Sequence, residues 1–186
     1  METQTDSALM ELVQAGDTAQ LALIFERHHV ALFRYLLHMT RNRAVSEDLV
    51  QEVFFRVLKY AKSYDPDCSF ASWLYGMAHN AYRDCRHKTR GERAPETVPE
   101  AQSAEPIPEE LFARKQDVLF LEEALQKLPE DRREILVLSR YQGLRYEEVA
   151  AILNCGVGAV KVRAFRALKE LRETFHQLRG DKIYEL

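Results

Sequence analysis

Along the stretch Phe70–Arg90, Tyr75, His79, Tyr82, Arg83, Arg86 and Arg90 fall on one side of a helical wheel. Cations interleaved with flat rings are what a single-stranded nucleic acid requires: the charges follow the phosphates and the rings stack on unpaired bases. An ordinary basic surface with half-buried tyrosines has the same spacing, so both readings stay open. Near the C-terminus a second basic face carries Lys161, Val162, Phe165, Arg166, Lys169 and Arg172, with Arg163 at its edge. Arginine and lysine suit phosphates and guanine edges, and apolar groups suit thymine methyls, so this face suits a duplex major groove. Phe165 could equally fold back onto the core. A third face gathers Asp48, Gln51, Glu52, Phe55 and Lys59. An aromatic side chain ringed by polar groups is either a stray on a solvated face or the anchor of a protein-docking patch.

These faces need helices to carry them. Val45, Leu49, Val50, Val53, Phe54 and Val57 form the apolar side of one helix, predicted from Ser46 as its cap to about Ala61. A short helix near 7–16 ends at Gly16. Asp17 or Thr18 caps the next, which runs to about Thr40. Asp65–Pro66–Asp67 is a turn, after which Ser69 or Ser72 opens a helix through about Lys88, with Phe70, Trp73, Leu74, Met77, Ala78 and Ala81 inward. Further on, residues 115–128 form a helix stopped by Pro129, Glu130 starts another ending at Gly143, and a third spans Tyr146–Leu153. A turn at Asn154–Cys155–Gly156 leads to a long helix over 158–178, whose inward side is Val157, Val160, Ala164, Ala167, Leu168, Leu171, Phe175 and Leu178. Closely joined helices ending in a long basic one predict a helix-turn-helix.

Four of the six prolines lie between Pro95 and Pro108, in a segment with almost no apolar residues, which predicts an extended linker. The expected organisation is all-α: two small helical domains, 1–90 and 115–180, a linker at 91–114 and a short tail at 181–186. The formal net charge of -3 conceals a segregated pattern. Arg83–Arg93 carries five bases against two acids, Ala94–Leu111 carries five glutamates and no base, and Gly156–Gly180 carries six bases against two acids. A near-neutral total is thus no argument against nucleic-acid binding.

No apolar run approaches the roughly 18–20 residues of a membrane span. The polar start Met1–Asp6 lacks a basic-then-apolar signal, so a cytoplasmic protein is expected. Cys68, Cys85 and Cys155 are too widely spaced for a metal-binding CxxC pair, and no HExxH pattern occurs. No paired carboxylates or nucleophile constellation stand out either. We therefore expect no catalytic residue, no metal and no cofactor.

The segments SEDLVQEVFFRV (46–57), FASWLYGMAHNAYRD (70–84), LPEDRREILVLSRYQGLRYEEVAAIL (128–153) and VGAVKVRAFRALKEL (157–171) resemble, in that order, those of the extracytoplasmic-function (group IV) bacterial sigma factors. The resemblance covers almost the whole chain. It implies an N-terminal bundle of sigma region 2 type and a C-terminal helix-turn-helix of sigma region 4 type. It also implies a promoter-specificity subunit, here of a stress or envelope-response regulon.

Asp48, Gln51, Glu52 and Phe55 would then dock on the clamp coiled coil of the largest subunit of RNA polymerase, with a further contact to the flap. Tyr64, Trp73, Tyr75, His79, Asn80, Tyr82, Arg83 and Arg86, with the 64–69 loop, would hold the melted −10 strand, Asn80 aligning with a position that helps read a flipped base. Flipping costs a few kcal/mol, which stacking must offset. Lys161, Val162, Arg163, Phe165, Arg166 and Lys169 would read the −35 duplex. An anti-sigma factor is the implied partner of the free protein.

The chain departs from the family pattern at Arg145, where a capping Ser is frequent. It departs again at Asn154–Cys155–Gly156, where Gly-Val-Ser is frequent, and at Val162, which replaces a frequent Ser. The last change puts the −35 sequence in question. A sigma-like decoy would have eroded DNA faces, which this chain does not. A conventional repressor would not need a face for single strands.

Promoter elements 16–17 base pairs apart lie about 55 Å apart along the duplex, within the roughly 70–75 Å reach of about 22 extended residues. Deleting five or more residues from the 91–114 segment is expected to impair initiation in run-off transcription while circular dichroism shows both halves still folded; unchanged transcription would remove the spacing argument.

Overall fold

The computed structural model describes residues 4–89 and 109–183. Among them the chain is helical: α1 (Asp6–Gln14), a 3-10 turn (Thr18–Gln20), α2 (Leu21–Thr40), α3 (Arg43–Lys59), a second 3-10 turn (Ala61–Ser63) and α4 (Phe70–Thr89) make an N-terminal half. α5 (Glu109–Lys127), α6 (Glu130–Leu136), a π-helical turn (Val137–Tyr141), α7 (Tyr146–Ile152) and α8 (Val157–Ile183) make a C-terminal half. Of the expected linker, residues 109–114 belong to α5, and the remainder lies outside the described residues, as does Arg90. Glu109 and Glu110, which the sequence reading assigned to an acidic spacer, occupy the first turn of α5.

In α2, Ile24, Leu32, Tyr35, Leu36 and Met39 recur at helical spacing and are buried. The helix stops at Arg41, whose backbone is left-handed (φ 57°) and whose N–H donates to the Leu37 carbonyl at 3.0 Å. Asn42 then caps α3, its side-chain oxygen accepting from the Val45 N–H at 3.1 Å. Ser46, the expected cap, lies one turn inside the helix, fully buried. Its hydroxyl donates to the Asn42 carbonyl at 2.7 Å and meets Thr40 Oγ1 at 2.7 Å. Asn and Ser both serve as caps, and the pattern of acids after Ser46 did not separate them. For α4 the cap is Ser69, whose hydroxyl accepts from the Ser72 N–H at 3.3 Å.

The C-terminal half turns on three punctuations. Pro129 precedes α6, Gly143 (φ 70°) follows the π-helical turn, and Asn154 (φ 49°) makes the tight bend between α7 and α8. Arg145 precedes α7 without a capping hydroxyl. The Glu148 carboxylate instead reaches back to accept from the Arg145 backbone N–H at 2.8 Å, the acidic half of a capping box. Residues 153–156 then set α7 and α8 in helix-turn-helix relation.

The two halves do not keep separate cores. Leu9, Leu32, Leu36, Val53 and Leu74 from the first and Leu125, Ile135, Leu138, Val149 and Val160 from the second belong to one continuous buried apolar cluster. A smaller cluster, Phe120, Ala124 and Leu178, joins α5 to the far end of α8.

Asn42→Ala removes the α3 cap without touching the core. We expect a loss of about 1 kcal/mol and a fall in melting temperature of about 2–4 °C, read by thermal circular dichroism; an unchanged melt would show the cap to be idle.

Candidate nucleic-acid interface

The three faces fare differently in the fold. On α3, Leu49, Val50, Val53, Phe54 and Val57 pack inward as the spacing predicts, and Asp48, Gln51, Glu52 and Phe55 are exposed together. Phe55 is 60% exposed, which is unusual for a large ring with no partner to cover it. Glu52 is not loose: it accepts from Arg56 Nε at 2.7 Å, and Arg56 donates on to Asp84 of α4 at 3.0 Å. Although its partial burial acts the other way, these two carboxylates hold the Arg56 guanidinium above its ordinary pKa.

On α8 the small residues Val160, Ala164 and Ala167 are buried, letting the helix lie close on α6 and α7. Lys161, Val162, Arg163, Phe165, Arg166 and Lys169 are all exposed, and Phe165 does not fold back: it is 72% exposed. Leu168, expected inward, is partly exposed at the margin of the helix. Lys161, Arg163 and Arg166 form no ion pair with another described residue, whereas Lys169 approaches Glu173 at 3.9 Å.

The α4 face departs from the sequence reading. Asn80, Arg83 and Arg86 are exposed and Trp73 is half-buried, but Tyr64, Tyr75, His79 and Tyr82 are buried. Tyr64 is a core residue of the N-terminal half. Its ring packs on Phe70 and Trp73, and its hydroxyl donates to the Cys68 carbonyl at 3.0 Å and meets Ser7 Oγ at 2.9 Å. Tyr75, His79 and Tyr82 instead face α6 and the π-helical turn. The Tyr75 hydroxyl donates to Gln142 Oε1 at 2.5 Å, and His79 Nδ1 lies 2.7 Å from Glu134 Oε1. That same oxygen accepts from the Tyr35 hydroxyl at 2.6 Å. Burial, with the neighbouring Glu134 charge, pushes the Tyr35 phenol well up; burial alone pushes Tyr75 up, and burial with Glu130 does so for Tyr82.

More contacts bind the halves around this centre. Arg41 donates to Gln126 Oε1 at 2.6 Å and to the Gln126 carbonyl at 3.0 Å. The Gln126 amide donates to the His38 carbonyl at 3.3 Å, and Arg86 pairs with Glu130. Burial, with the nearby positive charge of Arg133, holds His38 below its usual pKa. Glu148 of α7 lies near the Ser69 hydroxyl of the N-terminal half. Burial would raise its pKa, but the Arg145 N–H, Ser69 and the Arg145 guanidinium together hold it below the ordinary carboxylate range. Between α4, α6 and α8 a cavity of about 520 Å³ sets Arg83, Arg86 and Arg163 against Glu130, Asp131 and Glu134.

Sequence reasoning missed Tyr35, Gln126, Glu130, Glu134 and Gln142. Only Glu134 left a signal: it is an acid abutting the apolar run Ile135–Leu138, all of it buried. Among the described residues no group of three or more His, Cys, Asp or Glu side chains could hold a metal ion. No described helix is long and apolar enough to cross a membrane.

Residues 24–92 match the Sigma-70 region 2 family and residues 121–171 the Sigma-70 region 4 family. The chain is 33% identical to the RNA polymerase sigma factor CarQ of Myxococcus xanthus, over 91% of this chain and 97% of that one. It is 32% identical to the ECF RNA polymerase sigma-E factor of Escherichia coli K12, over 89% and 92%. Among solved structures, its fold matches CnrH in complex with the cytosolic domain of CnrY, with a TM-score of 0.71 at 24% identity, over 92% of this chain and 97% of that one. It also matches the sigma factor RpoE of Bartonella quintana in complex with the anti-sigma factor NepR, with a TM-score of 0.67 at 24% identity, over 86% and 96%.

Proposed function

We propose, from the premise that this chain belongs to the extracytoplasmic-function RNA polymerase sigma factors, that α3, α4 and α8 divide the work of initiation among them. The protein binds core RNA polymerase and directs it to specific promoters, as its family does. In this division Asp48, Gln51, Glu52 and Phe55 of α3 dock on the polymerase clamp. Trp73, Asn80, Arg83 and Arg86 of α4, with Tyr75, His79 and Tyr82 once uncovered, hold the −10 strand. Lys161, Val162, Arg163, Phe165, Arg166 and Lys169 of α8 read the −35 element. Tyr64 shapes the 64–69 loop from beneath rather than touching DNA.

The observation that carries this division is the exposure of Phe55 and Phe165, two large rings each set among charged groups on a different helix. Burying a Phe side chain is worth about 1.5–3 kcal/mol, enough to make either ring an anchor. Val162 and Phe165 are suited to thymine methyls, and the neighbouring cations to phosphates and guanine. The domains divide at the segment between α4 and α5, which spans the two promoter elements. The polypeptide does no covalent chemistry on DNA, and catalysis belongs to the polymerase. It works in the cytoplasm on a stress or envelope-response regulon. An anti-sigma factor holds it when free, as NepR partners the Bartonella RpoE.

Reconstitution with core polymerase on genomic DNA, read as promoter opening and run-off products, tests the whole assignment; duplex binding without core binding would favour a repressor instead. Phe55→Ala combined with Glu52→Ala is expected to weaken core binding tenfold or more with helix content intact; wild-type affinity would remove α3 from the docking site. Lys161→Ala and Arg166→Ala should each weaken −35 duplex binding by about 1–3 kcal/mol or flatten its salt dependence, measured by anisotropy across a salt series. Loss of core association instead would mean that the α8 face has been misassigned.

A further inference from the structure

α1 has no part in the three faces, yet two of its side chains end on the segment that carries the 64–69 loop. Ser7 and Gln14 are seven residues apart, so they share one stripe of the helix, about 10 Å apart along its axis. Leu9, Met10 and Val13 are buried and fix α1 to the N-terminal core, while Asp6 meets Arg27 and His28 of α2 at 2.7 Å each. Contacts on the rest of the helix thereby aim the stripe at the loop.

The loop itself is a stiff turn. The Cys68 N–H donates to the Asp65 carbonyl at 2.9 Å, the Asp67 N–H donates to Asp65 Oδ1 at 3.0 Å, and Pro66 between them has little backbone freedom. Residues 65–68 are exposed. Such a turn cannot set its own direction from within. That is decided where it joins the fold, at Tyr64 and Cys68. At the first join the Gln14 amide donates to the Tyr64 carbonyl at 2.7 Å and to the Ala61 carbonyl at 3.0 Å. At the second the Tyr64 hydroxyl donates to the Cys68 carbonyl at 3.0 Å. With its one proton so committed, that phenol can only accept from Ser7, whose Oγ lies 2.9 Å away.

We propose that Ser7 and Gln14 of α1 are positioning residues for −10 recognition: they hold both ends of the 64–69 loop, so that it meets the melted strand already in the shape that tells one base from another. The inference rests on the assignment of that loop and α4 to the −10 strand. Neither residue touches DNA. Discrimination between bases needs reading groups held to within a fraction of an ångström, and a loop ordered beforehand loses no further freedom on binding. Trp73 of the proposed −10 face is tied to the same arrangement, its ring packing on Tyr64 at 5.1 Å.

The test uses holoenzyme made with the full chain carrying Gln14→Leu, Ser7→Ala or Ser7→Thr. Run-off transcription is measured from a promoter that the wild-type holoenzyme opens and from versions of it with single −10 bases changed. Gln14→Leu is expected to lower the preference for the cognate −10 sequence about fivefold, the worth of one hydrogen bond. Ser7→Ala should lower it less, since the phenol keeps its bond to Cys68. Ser7→Thr, which retains the hydroxyl, should restore the wild-type preference. Trp73 is the only tryptophan in the chain, so acrylamide quenching of its fluorescence should rise in Gln14→Leu and Ser7→Ala and not in Ser7→Thr. Affinities for core polymerase and for the −35 duplex should stay at the wild-type values, because α3 and α8 are untouched. Unchanged −10 preference in a folded Gln14→Leu would overturn the proposal. So would a loss of activity equal at every promoter version, which is what a merely destabilised domain gives. If Gln14→Leu fails to fold, the contrast between Ser7→Ala and Ser7→Thr decides the matter. A wild-type holoenzyme that opens no promoter would strike the sigma assignment and this inference with it, a separate outcome from equality among the variants.

Discussion

A carboxylate withdrawn from water must be met by donors, and at Glu134 that requirement sets how α6 lies on the N-terminal half. Unmet, such a group costs several kcal/mol. Met by Tyr35 of α2 and His79 of α4, it holds α6 to both helices at once. The π-helical turn that follows α6 carries Gln142, eight residues beyond the carboxylate, to the hydroxyl of Tyr75. Single π-helical turns of this kind occur frequently at functional sites.

The orientation of α8 follows from α6 and α7. Val160, Ala164 and Ala167 bring α8 against them, and the tight bend at Asn154 (φ 49°) fixes where the helix begins. Once its small residues face inward, helical geometry leaves Lys161, Val162, Phe165, Arg166 and Lys169 no choice but to face outward. The same logic presents Phe55 on α3, whose opposite side is committed to Leu49, Val53 and Val57. Two exposed aromatic rings are thus by-products of well-packed helices, and it is their charged surroundings that give them a use.

The periodic parts of this architecture were legible in the sequence, and the contacts between halves were not. The apolar side of α3 and the stops at Pro129, Gly143 and Asn154 are local properties, decided within one helix or turn. Whether a polar side faces water or another helix is not local. Tyr75, His79 and Tyr82 have apolar bodies with polar tips, so they suit a wet groove and a buried hydrogen-bonded seam equally well. Only the position of Gln142, Glu134 and Glu130 separates the two, and those residues lie some 50 to 70 positions away in the chain. The cap of α3 failed for a smaller reason of the same type: Asn42 and Ser46 are both capable caps one turn apart, and the left-handed residue Arg41 between α2 and α3 decides for Asn42.

The contact between tethered halves also has a thermodynamic logic. Covalent connection through residues 90–108 raises the effective concentration of one half at the other to the order of millimolar. Against that concentration, a contact of about 4 kcal/mol, which would leave separated domains largely apart in a dilute cell, is enough to hold the two halves together. The contact is not polar throughout, since Leu125, Ile135, Leu138, Val149 and Val160 of the C-terminal half share one buried apolar cluster with Leu9, Leu32, Leu36, Val53 and Leu74 of the N-terminal half. Beside that apolar contact, Glu134, Tyr35, His79, Tyr75 and Gln142 add polar groups that satisfy one another across the halves. Burying ionisable groups between the halves, a poor choice for sheer stability, is tolerable at Glu134 because its partners Tyr35 and His79 both lie across the contact.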